Sequence, residues 1–190
     1  MLRSRQPREL PIAFIPVVFA LQQFIEGRLW VAGPADVGAG SLTQAFLVLA
    51  LIFWPVFSPA AALAIETEPP RRRLIAACLA VGAGVAAYFS WQLLAFPHTA
   101  RVVDGHLQYD VVNTPVFVGG LYVVATTLPL LLSSVPAVGL LGLVVLTGSI
   151  ATYAAYDQAF ISVWCFFAAA GSVVVAGHFE WERRRPVRAA

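Results

Sequence analysis

Apolar residues in this chain come in long unbroken runs, and polar residues gather in short segments between them. The runs lack the period-two alternation of barrel strands. Six of them are long enough to cross roughly 30 Å of hydrocarbon at 1.5 Å per residue: about 10–30, 42–65, 74–96, 115–132, 135–156 and 159–177. A helix satisfies its own backbone hydrogen bonds in lipid. The pattern therefore predicts an all-α fold: a polytopic transmembrane helical bundle of six spans in one domain over residues 1–190.

Composition sharpens that picture. Hydrophobic residues make up 59% and charged residues 12% of 190, and mean hydropathy is +0.79. Intrinsic disorder needs the opposite balance, and two cysteines cannot staple a chain of this length into a disulfide scaffold. The net charge of +2 is the excess of twelve basic residues, all arginine, over ten acidic ones, and nearly all the arginines sit beside apolar runs. They read as topology signals rather than a nucleic-acid surface, so no nucleic-acid partner is expected.

Arg3, Arg5 and Arg8 precede the first run, Arg71, Arg72 and Arg73 separate the second from the third, and Arg183, Arg184, Arg185 and Arg188 follow the sixth. By the positive-inside rule these segments face the cytoplasm, which puts both termini there, as an even number of spans requires. The opposite side receives Val31 to Ser41, the polar segment PHTARVVDGHLQYDVVNT at 97–114, and a tight connection near Asp157. The middle segment is either a lid over a site or a plain solvated connector. Three arginines before LPIAFIPVVFAL also resemble a signal peptide, but the run continues through Gln22, Gln23, Glu26 and Trp30 with no convincing cleavage site. No internal repeat is visible.

Candidate chemistry centres on the first run. Glu26 is essentially the one carboxylate expected inside a span, about 24 Å from the inner edge and a turn below the outer interface. Such a group is by default a functional hypothesis. Gln22 lies four residues and Gln23 three residues before it, so both amides can meet it on one helix face. Gly27 would admit a neighbouring backbone, and Arg28 can reach water or an acidic partner. The functional reading makes Glu26 an acid, base or ligand anchor; the plainer one makes the cluster an interhelical hydrogen-bond clamp.

Other polar groups fall at similar depth: Trp91, Gln92, Tyr122, Tyr153, Tyr156, Ser162, Trp164 and Cys165, with His98, His106, Tyr109, Asp110 and Asn113 in the outer segment. Interfacial aromatic belts account for much of this enrichment. His98 and His106 with Asp104 or Asp110 could in principle hold a metal, but no recognised ligand spacing is present and none is expected; no cofactor is indicated either. His178 belongs to no cluster. Cys78 and Cys165 differ in depth by about 15 Å and should be free thiols, Cys165 being a weak candidate nucleophile. Pro55 and Pro59 should kink the second span and free carbonyls, while Gly82, Gly84, Gly119, Gly120, Gly139 and Gly142 read as close-packing positions. Phosphate loops, nucleophile elbows, haem attachment motifs and voltage-sensor arginine ladders are absent from the sequence.

The runs PVVFALQQFIEGRLW, GHLQYD, ATTLPLLLSS and YDQAFISVWCFFAA together resemble an uncharacterised family of bacterial multi-span membrane proteins, a domain of unknown function. The resemblance covers nearly the whole chain. It implies a polytopic bacterial membrane protein, with Gln22, Gln23, Glu26, His106, Tyr109, Trp164 and Cys165 at positions of the family's pattern; a multi-pass protein of the bacterial inner membrane is the expected localisation. That pattern begins with a Met-Cys-Phe-Ser stretch and a further hydrophobic span, where this chain begins MLRSRQPREL.

The leading expectation is a membrane protein with a polar cavity in the outer leaflet that binds a small amphiphile or lipid, with acid-base chemistry as an option. Glu26, His106 and Tyr109 are the candidate catalytic residues; Gln22, Gln23, Arg28, Tyr122 and Trp164 are the candidate ligand contacts. A proton-coupled transporter and a non-catalytic subunit or assembly factor are the alternatives.

Overall fold

The computed structural model describes residues 7–33, 39–111, 114–155 and 159–184. After a 3₁₀ turn at Pro7–Glu9 come α1 (Leu10–Ala32), α2 (Ala39–Leu47), a π-helical stretch (Val48–Phe53) and α3 (Trp54–Ile65). Then follow α4 (Pro69–Ala95), strands β1 (Ala100–Val103) and β2 (His106–Tyr109), α5 (Val116–Leu131), α6 (Pro136–Ala155) and α7 (Phe160–Arg184). Prolines open α4 and α6, where the missing N–H would find no intrahelical partner in any case.

Five segments are long and apolar enough to cross a membrane: 7–32, 40–65, 69–95, 136–155 and 160–181. The fourth expected span is shorter than the others. α5 has 16 residues, about 24 Å of helix, because Pro115 stands outside it in an extended conformation. The helices of the third and sixth expected spans outrun their apolar stretches, α4 starting before Arg71–Arg73 and α7 ending at Arg184. Outward faces are as apolar as inward ones: Leu94, Val31, Phe24 and Val173 are exposed in the isolated chain, as lipid-facing residues would be.

The helices close a ring. α7 packs between α1 and α6, α5 joins α6 to α3 and α4, and α3 touches α1. Ile12, Ile15, Phe46, Ala61 and Leu141 are among the core residues. The π stretch arises where Pro55 breaks the α register. Trp54 N–H donates to the Leu49 carbonyl five residues back, and Pro55 has no N–H to offer Ala50. The Tyr122 hydroxyl of α5 donates to that Ala50 carbonyl instead. The expected freed carbonyls therefore exist, and this one is taken by a side chain.

The glycine reading holds in part. A Cβ on Gly82 or Gly142 would collide with a neighbouring helix, whereas one on Gly27, Gly84, Gly119, Gly120 or Gly139 would meet nothing within 4 Å. Gly148 and Gly171 also pack tightly, against Phe167 and Val144. Cys78 and Cys165 are free and buried, as expected from their depths.

The all-α expectation needs one correction, since the outer segment folds into an antiparallel hairpin that pairs Ala100 with Tyr109 and Val103 with His106. Asp104 and Gly105, both at positive φ (49° and 75°), form the two-residue turn. β2 lies on α7 and β1 touches α2, so the hairpin covers one end of the bundle.

At the other end, Glu66 joins two loops. One carboxylate oxygen accepts the N–H groups of Thr67 and Glu68, both at 2.9 Å, and the other accepts Ser134 N–H at 2.8 Å. Arg72 donates to the carbonyls of Leu63 and Glu66, and Arg71 to that of Leu132.

Candidate functional site

Glu26 is 5% exposed on the inward face of α1. Its carboxylate accepts the Tyr109 hydroxyl at 3.1 Å and the Gln23 amide at 3.3 Å, and also interacts with the Ser162 hydroxyl of α7. A helix, a hairpin strand and a second helix thus meet at one carboxylate. Tyr109 is fixed by more than this bond: its ring stacks on Phe46 of α2 with centroids 4.5 Å apart. Burial, and then the adjacent Glu26, push its phenol well above the ordinary range, so Tyr109 remains a proton-bearing donor.

Gln22 does not join the carboxylate as its spacing suggested. Fully buried, it accepts the Trp54 indole N–H at 2.6 Å, and Trp54 is in turn stacked on Phe19 at 4.0 Å. On the other side Gln22 lies beside the Cys165 thiol. Trp54 went unrecognised from sequence because its partner is 32 residues away and an aromatic residue in an apolar run carries no mark of a polar task. Glu66 was also passed over; its signal is an acid placed just before the Pro69–Pro70 helix start, where free N–H groups collect.

Between the hairpin, α5, α6 and α7 lies a cavity of about 810 Å³. Among the described residues its walls are mainly apolar, with Tyr109, Thr114, Tyr122, Ser149, Tyr153 and Cys165 as the polar exceptions. The expectation of a polar cavity is revised accordingly: the polar cluster forms part of one wall, and the rest suits hydrocarbon. Tyr122 and Trp164 line it, their rings edge to face at 5.1 Å. The Trp164 indole donates to the Val145 carbonyl at 3.2 Å, tying α7 to α6. Tyr122 and Cys165 also border a smaller void of about 30 Å³ that reaches inward to Ser58 and Thr126.

Two candidates stand apart. Alternation along β2 buries Leu107 and Tyr109 on one face and turns His106 to the other, away from Glu26. Arg28 is exposed on the outer face of α1, one residue beyond the open side of Gly27. His98 instead ties the hairpin to α4, its ring nitrogens 3.1 Å from the Asp110 carbonyl and 3.2 Å from the Gln92 carbonyl. Arg101 pairs with Asp110 at 2.7 Å on the exposed side. No group of three metal-ligating side chains occurs among the described residues. Asn113, Tyr156 and Asp157 lie outside the described residues.

The arrangement can do two things chemically. It can hold an apolar chain, and it can accept a hydrogen bond at one wall through the Tyr109 oxygen, whose O–H is directed to the buried Glu26. No curated protein and no solved structure matches this chain. A family model does match, over residues 1–190, and the chain belongs to that family, DUF6629, a family of unknown function.

Proposed function

We propose that this protein is a multi-pass membrane protein that binds a small amphiphile or lipid in the cavity beneath the hairpin. The end bearing Arg71–Arg73 faces the cytoplasm, α5 serves as a sixth, short crossing, and the hairpin lies at the outer surface. The observation that carries the reading is the position of Tyr109: the same side chain lines an apolar cavity of about 810 Å³ and donates to the buried Glu26. A carboxylate is costly in this setting and is expected where it has a task.

Binding is favoured over acid-base catalysis. Tyr109 stands between Glu26 and the cavity, and a phenol raised by burial holds its proton rather than exchanging it. Tyr109 and Glu26 then act as a fixed polar end-wall, with Gln23 and Ser162 orienting the carboxylate.

The test is mass spectrometry of lipids and small molecules that co-purify with wild type, Glu26→Gln and Tyr109→Phe. A species retained by wild type and lost from both variants, each folded by size exclusion and thermal melting, is the expected result. Equal retention by folded variants would reduce the cluster to a packing clamp.

A further inference from the structure

The walls of the cavity also bear on the charge of the head group. Among the described residues no Lys, Arg, His, Asp or Glu lines it. The carboxylate of Glu26 lies behind the Tyr109 wall, and the nearest guanidinium on the hairpin, Arg101, is held by Asp110 on the exposed face. Against the described residues, an anionic head group meets no cation and faces a carboxylate, and a cationic one is desolvated without a direct counter-ion.

Of the two polar groups at the hairpin side of the cavity, Tyr109 can only accept a hydrogen bond and Thr114 can donate or accept. Tyr109 keeps its proton and directs its O–H to Glu26, so it presents only oxygen lone pairs to the cavity. Thr114 Oγ1, also at the cavity, is buried with no hydrogen-bond partner among the described residues. A ligand that donates satisfies both.

The route in is set by how α5 and α6 meet. They are pinned at one end, where a Cβ on Gly142 would come within 2.8 Å of the Leu131 backbone, and open at the other, where Gly119 and Gly120 face empty space. Val116 and Ile150 flank that opening, 84% and 62% exposed on the lipid-facing surface.

We infer that the cavity takes an uncharged amphiphile whose head group carries a hydroxyl or amide N–H, of the chemical class of a fatty alcohol or monoacylglycerol. It enters sideways from the lipid between α5 and α6, with its head against Tyr109 and Thr114 and its chain along Gly119, Gly120 and Val123. This rests on the binding role proposed above and adds the ligand's charge and its path.

The experiment uses the full chain in phosphatidylcholine nanodiscs and three photoreactive probes of equal chain length: an alkyl alcohol, an alkyl sulfate and an alkyl trimethylammonium. Labelled peptides are mapped in wild type, in Gly120→Phe, which fills the cavity, and in Ile150→Trp, which narrows its opening should the first variant fail to fold. The expected result is labelling of α5 and α6 by the alcohol at least about tenfold above both charged probes, since an unpaired buried charge costs more than the factor of ten in affinity that separates them. That labelling falls to background in the filled or narrowed variant. Labelling by the sulfate or the ammonium probe equal to or above the alcohol, and still sensitive to Gly120→Phe, overturns the neutral-ligand inference while leaving amphiphile binding intact. Labelling insensitive to both variants with any probe overturns the site itself.

Discussion

The carbonyl oxygen of Pro55 occupies the place where Gly82 would carry a side chain: a Cβ there would lie 1.7 Å from it. Pro59, four residues on, has no N–H to give that carbonyl, so it points out of α3 toward α4. Gly82 is the residue that permits the approach, and the two helices pack backbone to side-chain-free backbone.

Gly82→Ala should therefore destabilise the bundle by about 2–3 kcal/mol or more, since backbone must move to admit the methyl. Gly84→Ala, with nothing within 4 Å, should be neutral or stabilising by about 0.5–1 kcal/mol through helix propensity. Thermal unfolding of both variants in one detergent checks the pair. Equal melting temperatures would refute the close contact.

Tyr122→Phe keeps the ring against Trp164 and Phe89 but removes the hydroxyl donated to Ala50. A buried carbonyl in the π stretch is then left without its donor. The expected cost is about 1 kcal/mol, the scale of side-chain hydrogen bonds in membrane bundles. Faster amide exchange in 48–53 relative to 60–65 is the local signature, and unchanged exchange there would count against the role assigned to Tyr122.

Glu66 gives the protein a pH dependence whose sign is fixed by its partners. Burial alone would raise its carboxyl, but the N–H groups of Glu68, Ser134 and Thr67 outweigh it, and its position is below the ordinary carboxylate value. A depressed folded value contributes stability that is present above the unfolded value, about 4.3, and is lost as pH falls through the folded one. Melting of wild type against Glu66→Gln from pH 7 to pH 3 should show a gap that is full above about pH 5 and closes below about pH 4. A gap independent of pH would mean that the charge of Glu66 is not what holds the two loops.

The hairpin turn should matter to the site at a distance. Gly105 has φ 75°, and Gly105→Ala strains it by about 1 kcal/mol, whereas Asp104→Asn is tolerated because Asn accepts positive φ. Since β2 carries Tyr109 to Glu26, the Gly105 variant should lose co-purifying amphiphile while the helices melt near the wild-type temperature. Full retention would show that Tyr109 is placed without the turn.

Sequence alone carries what depends on local chemistry. Apolar run length placed five membrane-length helices and most of α5, the depth of two cysteines ruled out their disulfide, and a carboxylate in the QQFIEGRLW segment singled out Glu26, because each is a property of residues near one another along the chain. The Asp-Gly pair between RVV and HLQY is an equally local signal, a two-residue hairpin turn flanked by short strand-like segments. Tertiary structure decided which polar groups meet. Tyr109 reaches Glu26 across 83 residues, Trp54 takes Gln22 across 32, and Ser134 N–H finds Glu66 across 68. Helices apolar on every side carry no stripe that fixes their mutual rotation. Their arrangement comes instead from glycine contacts, proline-freed carbonyls and paired hydrogen bonds, which are properties of two chain segments at once and are written in neither alone.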